Sequence, residues 1–241
     1  MTYFRFHLIF NLPILLCLIL GLYFFGSWGL EQWCVLGVVL GIVMIFTTPW
    51  DNYAAYCGIW GFADNRYWKM VKYLPVEEYL FFVIQSVQAM LLTQIFIDTN
   101  AKESLEVSWG LDRWILMGML SLVFLVIGLF GKKRIDSKSR WHYAWHLFYW
   151  FLPVIFMQWI IGWEVLLPRW EWVVFPALLL GTYLSLADYL AINEGIWHFD
   201  YKQVTGVMIG KKMPWEEAAF FYLTSFLVAQ SYLILLPEAL R

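Results

Sequence analysis

The stretch "PVEEYLFFVIQSVQAMLLTQIFI", Pro75 to Ile97, opens on a proline and two adjacent glutamates and then runs predominantly apolar, for about the 20 residues that a helix needs to cross a bilayer. The same opening returns as "PWEEAAFF", Pro214 to Phe221, with the proline, both glutamates and both phenylalanines at identical spacing. Ahead of the two copies stand "PWDNYAAYCGIWGF", Pro49 to Phe62, and "LADYLAINEGIWHF", Leu186 to Phe199. In these, Asp51 precedes Gly58-Ile59-Trp60 by the same interval as Asp188 precedes Gly195-Ile196-Trp197. The chain therefore reads as a duplication that places carboxylates at the ends of apolar segments twice.

The composition fits that reading. Of 241 residues 62% are hydrophobic, 21% aromatic and only 14% charged, against roughly 25% charged in soluble domains. Spans of membrane length fall at about 6–25, 33–49, 75–97, 110–130, 141–161, 170–187 and 214–236. They predict an all-α membrane protein with seven transmembrane helices. Spanning strands of an outer-membrane barrel are not expected, because the runs are continuously apolar rather than alternating. The first run is too long, and its flanks too weakly basic, for a cleaved signal peptide.

Charge sets the orientation. Arg66, Lys69 and Lys72 lie between spans two and three, Lys132, Lys133, Arg134, Lys138 and Arg140 between four and five, and Lys202, Lys211 and Lys212 between six and seven. The opposite loops carry Glu31, Asp98, Glu103, Glu106 and Glu164 against Lys102, with Arg113 and Arg169 at helix starts. The basic connections are expected in the cytoplasm, the N-terminus inside and the C-terminus outside, in a bacterial inner (cell) membrane. The net charge of −2 gives no sign of a nucleic-acid partner. Cys17, Cys34 and Cys57 have no disulfide or zinc spacing and read as packing residues.

Spans two and three correspond to six and seven, and by position one to five, which leaves span four as a connector. An odd connector returns the second copy in the same sense, so the expectation is a parallel 3+1+3 internal repeat. Repeat 1 covers about 1–100, the connector helix about 110–130 and repeat 2 about 141–241, all within one transmembrane domain, 1–241.

Proline suits the first turn of a helix. Glu77, Glu78, Glu216 and Glu217 then sit where the positive end of the macrodipole favours carboxylate. One reading makes them helix-start acids facing headgroups. The other turns them inward, because each pair continues into a polar stripe: Gln85 follows Glu78 by seven residues, and Thr224 and Ser231 follow Glu217 by seven and fourteen. Gln88 and Gln230 lie closer to the faces of Glu77 and Glu216. A polar stripe in a membrane helix points to the bundle interior. Adjacent residues stand about 100° apart, so one glutamate of each pair can face inward while its neighbour braces a loop. The stripe favours Glu78 and Glu217 for the interior.

A carboxyl group withdrawn from water can stay protonated near neutral pH and act as a general acid, with an ionised aspartate nearby as base or electrostatic partner. The rings of Trp50, Tyr53, Trp60, Tyr79, Phe82, Trp197, Trp215 and Phe221 offer π faces to a positive charge on carbon, although tryptophan and tyrosine also form belts at any membrane interface. Acid plus aromatic box suits carbocation chemistry on an apolar substrate. No dinucleotide fingerprint or phosphate loop is present, so no cofactor is expected. His7, His142, His146 and His198 make no metal pattern with the acids, and His142 and His146 read as interfacial side chains. Gly37 and Gly41, at small-xxx-small spacing, read as helix packing.

These motifs, "TPWDNYAAYCGIWGF" with "PVEEYLFF" and the more degenerate "LADYLAINEGIWHF" with "PWEEAAFF", resemble the integral-membrane lycopene cyclase family, which includes heterodimeric bacterial cyclases and the cyclase half of fungal bifunctional carotenoid enzymes. The resemblance runs nearly end to end, with the two halves fused in one chain. It implies carotenoid biosynthesis, in which a linear carotene end group closes to an ionone ring (lycopene to γ- or β-carotene) without net redox change. Lycopene or a related carotene is then the substrate and membrane lipid the surroundings. It carries over Glu77, Glu78, Glu216 and Glu217 as catalytic candidates, with Asp51 and Asp188 as supporting acids. The second copy departs from the first at Ala187 and Tyr189, which replace Trp50 and Asn52, and at Asn193-Glu194 before its glycine. Neither motif nor composition speaks to oligomeric state.

A rival comes from another class, since small-solute transporters also use parallel 3+1+3 repeats. The acids here lie at one membrane end rather than at mid-depth. A retinal receptor fits less well, because the last span contains no lysine for a Schiff base.

Overall fold

The computed structural model describes residues 1–100, 107, 110–131 and 138–237. Its long helices are α1 (Tyr3–Phe25), α2 (Leu30–Tyr56), α3 (Val76–Thr99), α4 (Leu111–Gly131), α5 (His142–Leu166), α6 (Trp170–Asn193) and α7 (Trp215–Leu235). Among the described residues six helices, α1, α2, α3, α5, α6 and α7, are long and apolar enough to cross a membrane. The chain is an integral membrane protein built mainly of helices. Lys102, Glu103, Glu106, Lys132, Lys133 and Arg134, used above for orientation, lie outside the described residues.

Helices α2 and α6 run further than their apolar spans, to Tyr56 and Asn193, so Asp51 and Asp188 sit within helices rather than beyond them. The spans are helical, and strands occur only as pieces of two or three residues in the described connections: β1 (Trp60–Phe62), β2 (Met70–Val71), β3 (Leu74–Pro75), β4 (Trp197–Phe199), β5 (Met208–Ile209) and β6 (Met213–Pro214). Pro75 and Pro214 close the hairpins β2-β3 and β5-β6 and cap α3 and α7 from extended backbone, one position before the first turn.

The repeated Gly-Ile-Trp has a local cause. Gly58 and Gly195 both adopt φ of +69°, the left-handed conformation that ends a helix without a Cβ penalty. Gly58 N–H donates to Ala55 O (3.0 Å) and Ile59 N–H to Ala54 O (3.1 Å); Gly195 N–H donates to Ile192 O (3.0 Å) and Ile196 N–H to Ala191 O (3.1 Å). This double closure consumes the orphan carbonyls of the last turn and buries Ile59 and Ile196 beneath it. Each tryptophan then starts a strand, and β1 pairs antiparallel with β4 in the register Trp60↔Phe199, Gly61↔His198, Phe62↔Trp197. The ribbon joins the first half of the chain to the second, and Ala63 N–H to Ile196 O (3.0 Å) and Asp200 N–H to Ile59 O (2.9 Å) extend the join.

Helices α3 and α7 form the centre, with 67% and 61% of their spans buried against 11% for α1. They meet through Phe81 and Phe221 (centroids 6.0 Å apart) and through Gln85 Nε2 donating to Thr224 Oγ1 at 2.6 Å. Further along, Gln158 Nε2 of α5 donates to Ser231 Oγ at 2.7 Å, and Tyr232 OH of α7 to Gln94 Oε1 of α3 at 2.6 Å. Gln85, Gln94, Gln158, Thr224, Ser231 and Tyr232 thus pair across helices, as apolar surroundings demand. Helix α4 is tied to α5 by the Arg113–Glu164 ion pair.

Two smaller expectations are corrected. A Cβ at Gly37 or Gly41 would meet nothing within 4 Å, because α2 buries Val35 and Val39 and turns the glycines outward. Cys17 and Cys34 are likewise exposed on the outside of the helices instead of packed, while Cys57 is half-buried.

Candidate active site

The two acidic motifs converge on one pocket. It is lined by Asp51, Glu78, Asp188 and Glu217 together with Tyr3, Phe6, Trp50, Trp60, Phe62, Phe81, Tyr143, Leu184, Trp197, Phe199, Phe220 and Phe221. The turns at Gly58 and Gly195 lead into β1 and β4, which bring Trp60, Phe62, Trp197 and Phe199 into the lining.

Within each Glu-Glu pair the helical 100° step separates two environments. Glu78 Oε2 accepts from Tyr3 OH at 2.7 Å, and Glu217 Oε2 accepts from Tyr143 OH. Their neighbours turn to the loops: Glu77 Oε1 accepts Trp68 N–H at 2.8 Å and Glu216 Oε1 accepts Thr205 N–H at 2.7 Å. Neither Glu77 nor Glu216 is among the lining residues, and both are buried. His7, in a π-helical turn of α1 (His7–Asn11), supports the first motif by donating from Nε2 to Glu77 O at 2.9 Å while Nδ1 accepts from Asn11.

Asp51 and Asp188 are buried at 2% and 1% exposure, and one oxygen of each, Asp51 Oδ1 and Asp188 Oδ2, has no hydrogen-bond partner among the described residues. A buried polar atom without a partner is costly, which sets these two acids apart from Glu78 and Glu217 with their tyrosine donors.

Four of the eight rings named from sequence, Trp50, Trp60, Trp197 and Phe221, line the pocket. The other four lie elsewhere because their positions on the helix turn them away. Tyr53 packs on His146 (5.3 Å), and Tyr79 OH donates to Val71 O while accepting from Asn52 Nδ2. Phe82 packs against Tyr79 (6.0 Å), and Trp215 Nε1 donates to Thr205 Oγ1 at 2.7 Å. Trp50 is held flat between His146 and Phe220, at 5.1 and 5.3 Å with interplanar angles of 5° and 7°. His142 is buried and His146 half-buried among protein groups: His142 donates from Nδ1 to Gln203 Oε1 at 2.6 Å, and His146 Nε2 to Trp50 O at 3.1 Å.

Sequence reasoning missed Tyr3, Tyr143, Phe6, Phe62, Phe81, Phe199 and Phe220. A signal for the tyrosines existed, since they stand 75 and 74 residues ahead of their glutamates, each in the first turns of its helix. Helices α1 and α5 otherwise share too little to align.

Comparison with known proteins decides the family. The chain is 30% identical over 202 residues to a lycopene beta-cyclase of Halobacterium salinarum, covering 82% of this chain and 80% of that one. The chain belongs to the lycopene cyclase family. It is also 30% identical over 242 residues to a bifunctional lycopene cyclase/phytoene synthase of Phycomyces blakesleeanus, and 28% identical over 243 residues to one of Arthroderma gypseum. These alignments cover 92% and 95% of this chain but 37% and 40% of the fungal proteins, so the likeness lies in one portion of each. No protein-family model and no solved structure matches the chain.

Proposed function

We propose that the chain is a carotenoid cyclase that closes the linear end group of lycopene by acid–base chemistry at the pocket between its two acidic motifs. The observation that carries this reading is the convergence of Glu78, Glu217, Asp51 and Asp188 within a single wall of aromatic rings. One glutamate donates a proton to the terminal double bond and leaves a tertiary cation. The neighbouring double bond closes on that cation, and loss of a ring proton to a second carboxylate ends the reaction. One proton enters and one leaves, so no oxidant or reductant is consumed. Trp50, Trp60, Trp197 and Phe221 offer π faces to the positive charge. The names of the relatives support cyclisation and give no support to transport.

The architecture belongs to the same reading. Helix α4 is the seventh span and the connector of a parallel 3+1+3 repeat within one domain. Matched features in the two halves support it: both left-handed glycines, both Tyr-Glu contacts and both Glu-braced loops. The basic loops face the cytoplasm, with the N-terminus inside, the C-terminus outside and the pocket at the cytoplasmic end. A cysteine introduced at Lys69, Lys138 or Lys212 in a cysteine-free background is expected to react with an impermeant maleimide only after the cells are opened. Labelling of intact cells at any of the three positions would reject the shared face.

Expression in a lycopene-accumulating bacterium, with pigments separated by chromatography, tests the activity directly. With purified protein and unlabelled lycopene in deuterated buffer the new ring is expected to carry solvent deuterium. A cyclic product free of label would rule out protonation as the first step.

A further inference from the structure

The hydroxyls of Tyr3 and Tyr143 stand where they decide which oxygen of each pocket glutamate holds its proton. Everything else about these side chains is already fixed. Tyr3 N–H donates to Arg66 O at 2.7 Å and Tyr143 N–H to Gln203 O at 3.0 Å, so each backbone is tied to the loop of its own half. That loop is in turn tied to the outer glutamate, Glu77 or Glu216. The Tyr3 ring stacks on His7 (4.9 Å, 25°) and Phe62 (6.2 Å, 17°) and leans on Trp197 (5.0 Å). The Tyr143 ring stacks on Phe199 (6.0 Å, 19°) and leans on Trp60 (5.3 Å). Both tyrosines are buried, at 2% and 0% exposure. Backbone and ring account for folding; the hydroxyl remains, and in both halves it meets the inner glutamate.

A phenol has one hydrogen to donate, and a protonated carboxyl carries its own hydrogen on one of two oxygens, the other being the acceptor. Donation from tyrosine to Oε2 leaves Oε1 as the oxygen that carries the acidic proton. When that proton passes to substrate, the same phenol donates to the resulting carboxylate, and a hydrogen bond to an ionised acceptor is about twice as strong as a neutral one. The contact therefore strengthens as the cation forms, which is the condition for lowering a barrier rather than only binding substrate.

We infer that Tyr3 and Tyr143 are positioning residues for the cyclisation, each orienting the acid of its own half through Oε2; this rests on the reading of Glu78 and Glu217 as the candidate acids. Tyr3→Phe and Tyr143→Phe remove only the hydroxyl and keep the ring stack. With purified protein and lycopene, at least one of them is expected to lower kcat about 10- to 100-fold, the range of a charge-assisted hydrogen bond, while KM stays within about twofold. Aspartate in place of the glutamate draws the carboxyl back by one methylene. In the Glu78→Asp or Glu217→Asp background the matching Tyr→Phe change is therefore expected to cost little more.

A second measurement needs no turnover. The infrared C=O stretch of a protonated carboxyl moves up in frequency when its donor is removed. It is expected to shift in the Tyr→Phe variant and to vanish in the corresponding Glu→Gln variant. Parent kcat in both Tyr→Phe variants, a loss that persists in full in the aspartate backgrounds, or an unshifted carboxyl band would overturn the inference. Failure of the underlying reading looks different: Glu78→Gln and Glu217→Gln would both turn over at the parent rate, whatever the tyrosines do.

Discussion

Glu78→Gln and Glu217→Gln are each expected to give a folded, membrane-inserted protein, and at least one of them to lose cyclisation by about 10²- to 10⁴-fold. Glutamine keeps the size of the side chain and an oxygen that can accept from Tyr3 or Tyr143, but it has no proton of suitable acidity to give to an alkene. Glu→Asp at the same positions is expected to be milder, since it retains the acid and loses reach. The two halves need not be equal. The first pairs its glutamate with Trp50 of α2, whereas the second has Ala187 at the matching place. Pigment analysis and single-turnover rates with each variant measure the effect. If both Gln variants cyclised at the parent rate, the proton donor would have to be sought at Asp51 or Asp188, which line the same pocket.

The outer glutamates are expected to fail differently. Glu77 and Glu216 accept backbone N–H groups of Trp68 and Thr205, so Glu77→Ala or Glu216→Ala leaves a donor without its acceptor beneath a loop. An unsatisfied donor of this kind costs about 1–3 kcal/mol. The expected result is a shorter half-life at elevated temperature in detergent, followed by tryptophan fluorescence, and a smaller loss for Glu→Gln because the amide oxygen still accepts. Residual activity is expected to be greater than in the inner-glutamate series, since the proton donor is intact. Unchanged thermal inactivation in both alanine variants would show that the braces do not hold the loops.

The contrast between neighbours shows how far one-dimensional reading reaches. Helical geometry alone demanded that Glu77 and Glu78 point about 100° apart, and the position of Gln85, Thr224 and Ser231 indicated which side faces the interior. Ring assignment went less far. Phe81 and Phe82 are indistinguishable as letters, yet Phe81 lines the pocket and Phe82 packs on Tyr79. His142 and His146, next to a basic loop, look like interfacial groups; the reciprocal bonds of His146 with Trp50 draw one into the contact between α2 and α5, and Gln203 holds the other.

The sequence by itself determined the features that depend on composition and short-range geometry. These are the apolar spans, the paired carboxylates after each proline and the glycine at the same place in each repeated Gly-Ile-Trp. Such features follow from bilayer thickness, helix pitch and the steric cost of a Cβ, all of which act over a few residues. Only the tertiary structure decided that both motifs serve one pocket and that β1 and β4 pair across it. It also decided that Tyr3 and Tyr143, 75 and 74 residues away in sequence, supply the hydroxyls to Glu78 and Glu217. Those contacts join segments whose meeting depends on how α3 and α7 pack at the centre, and no local pattern encodes a distance between helices.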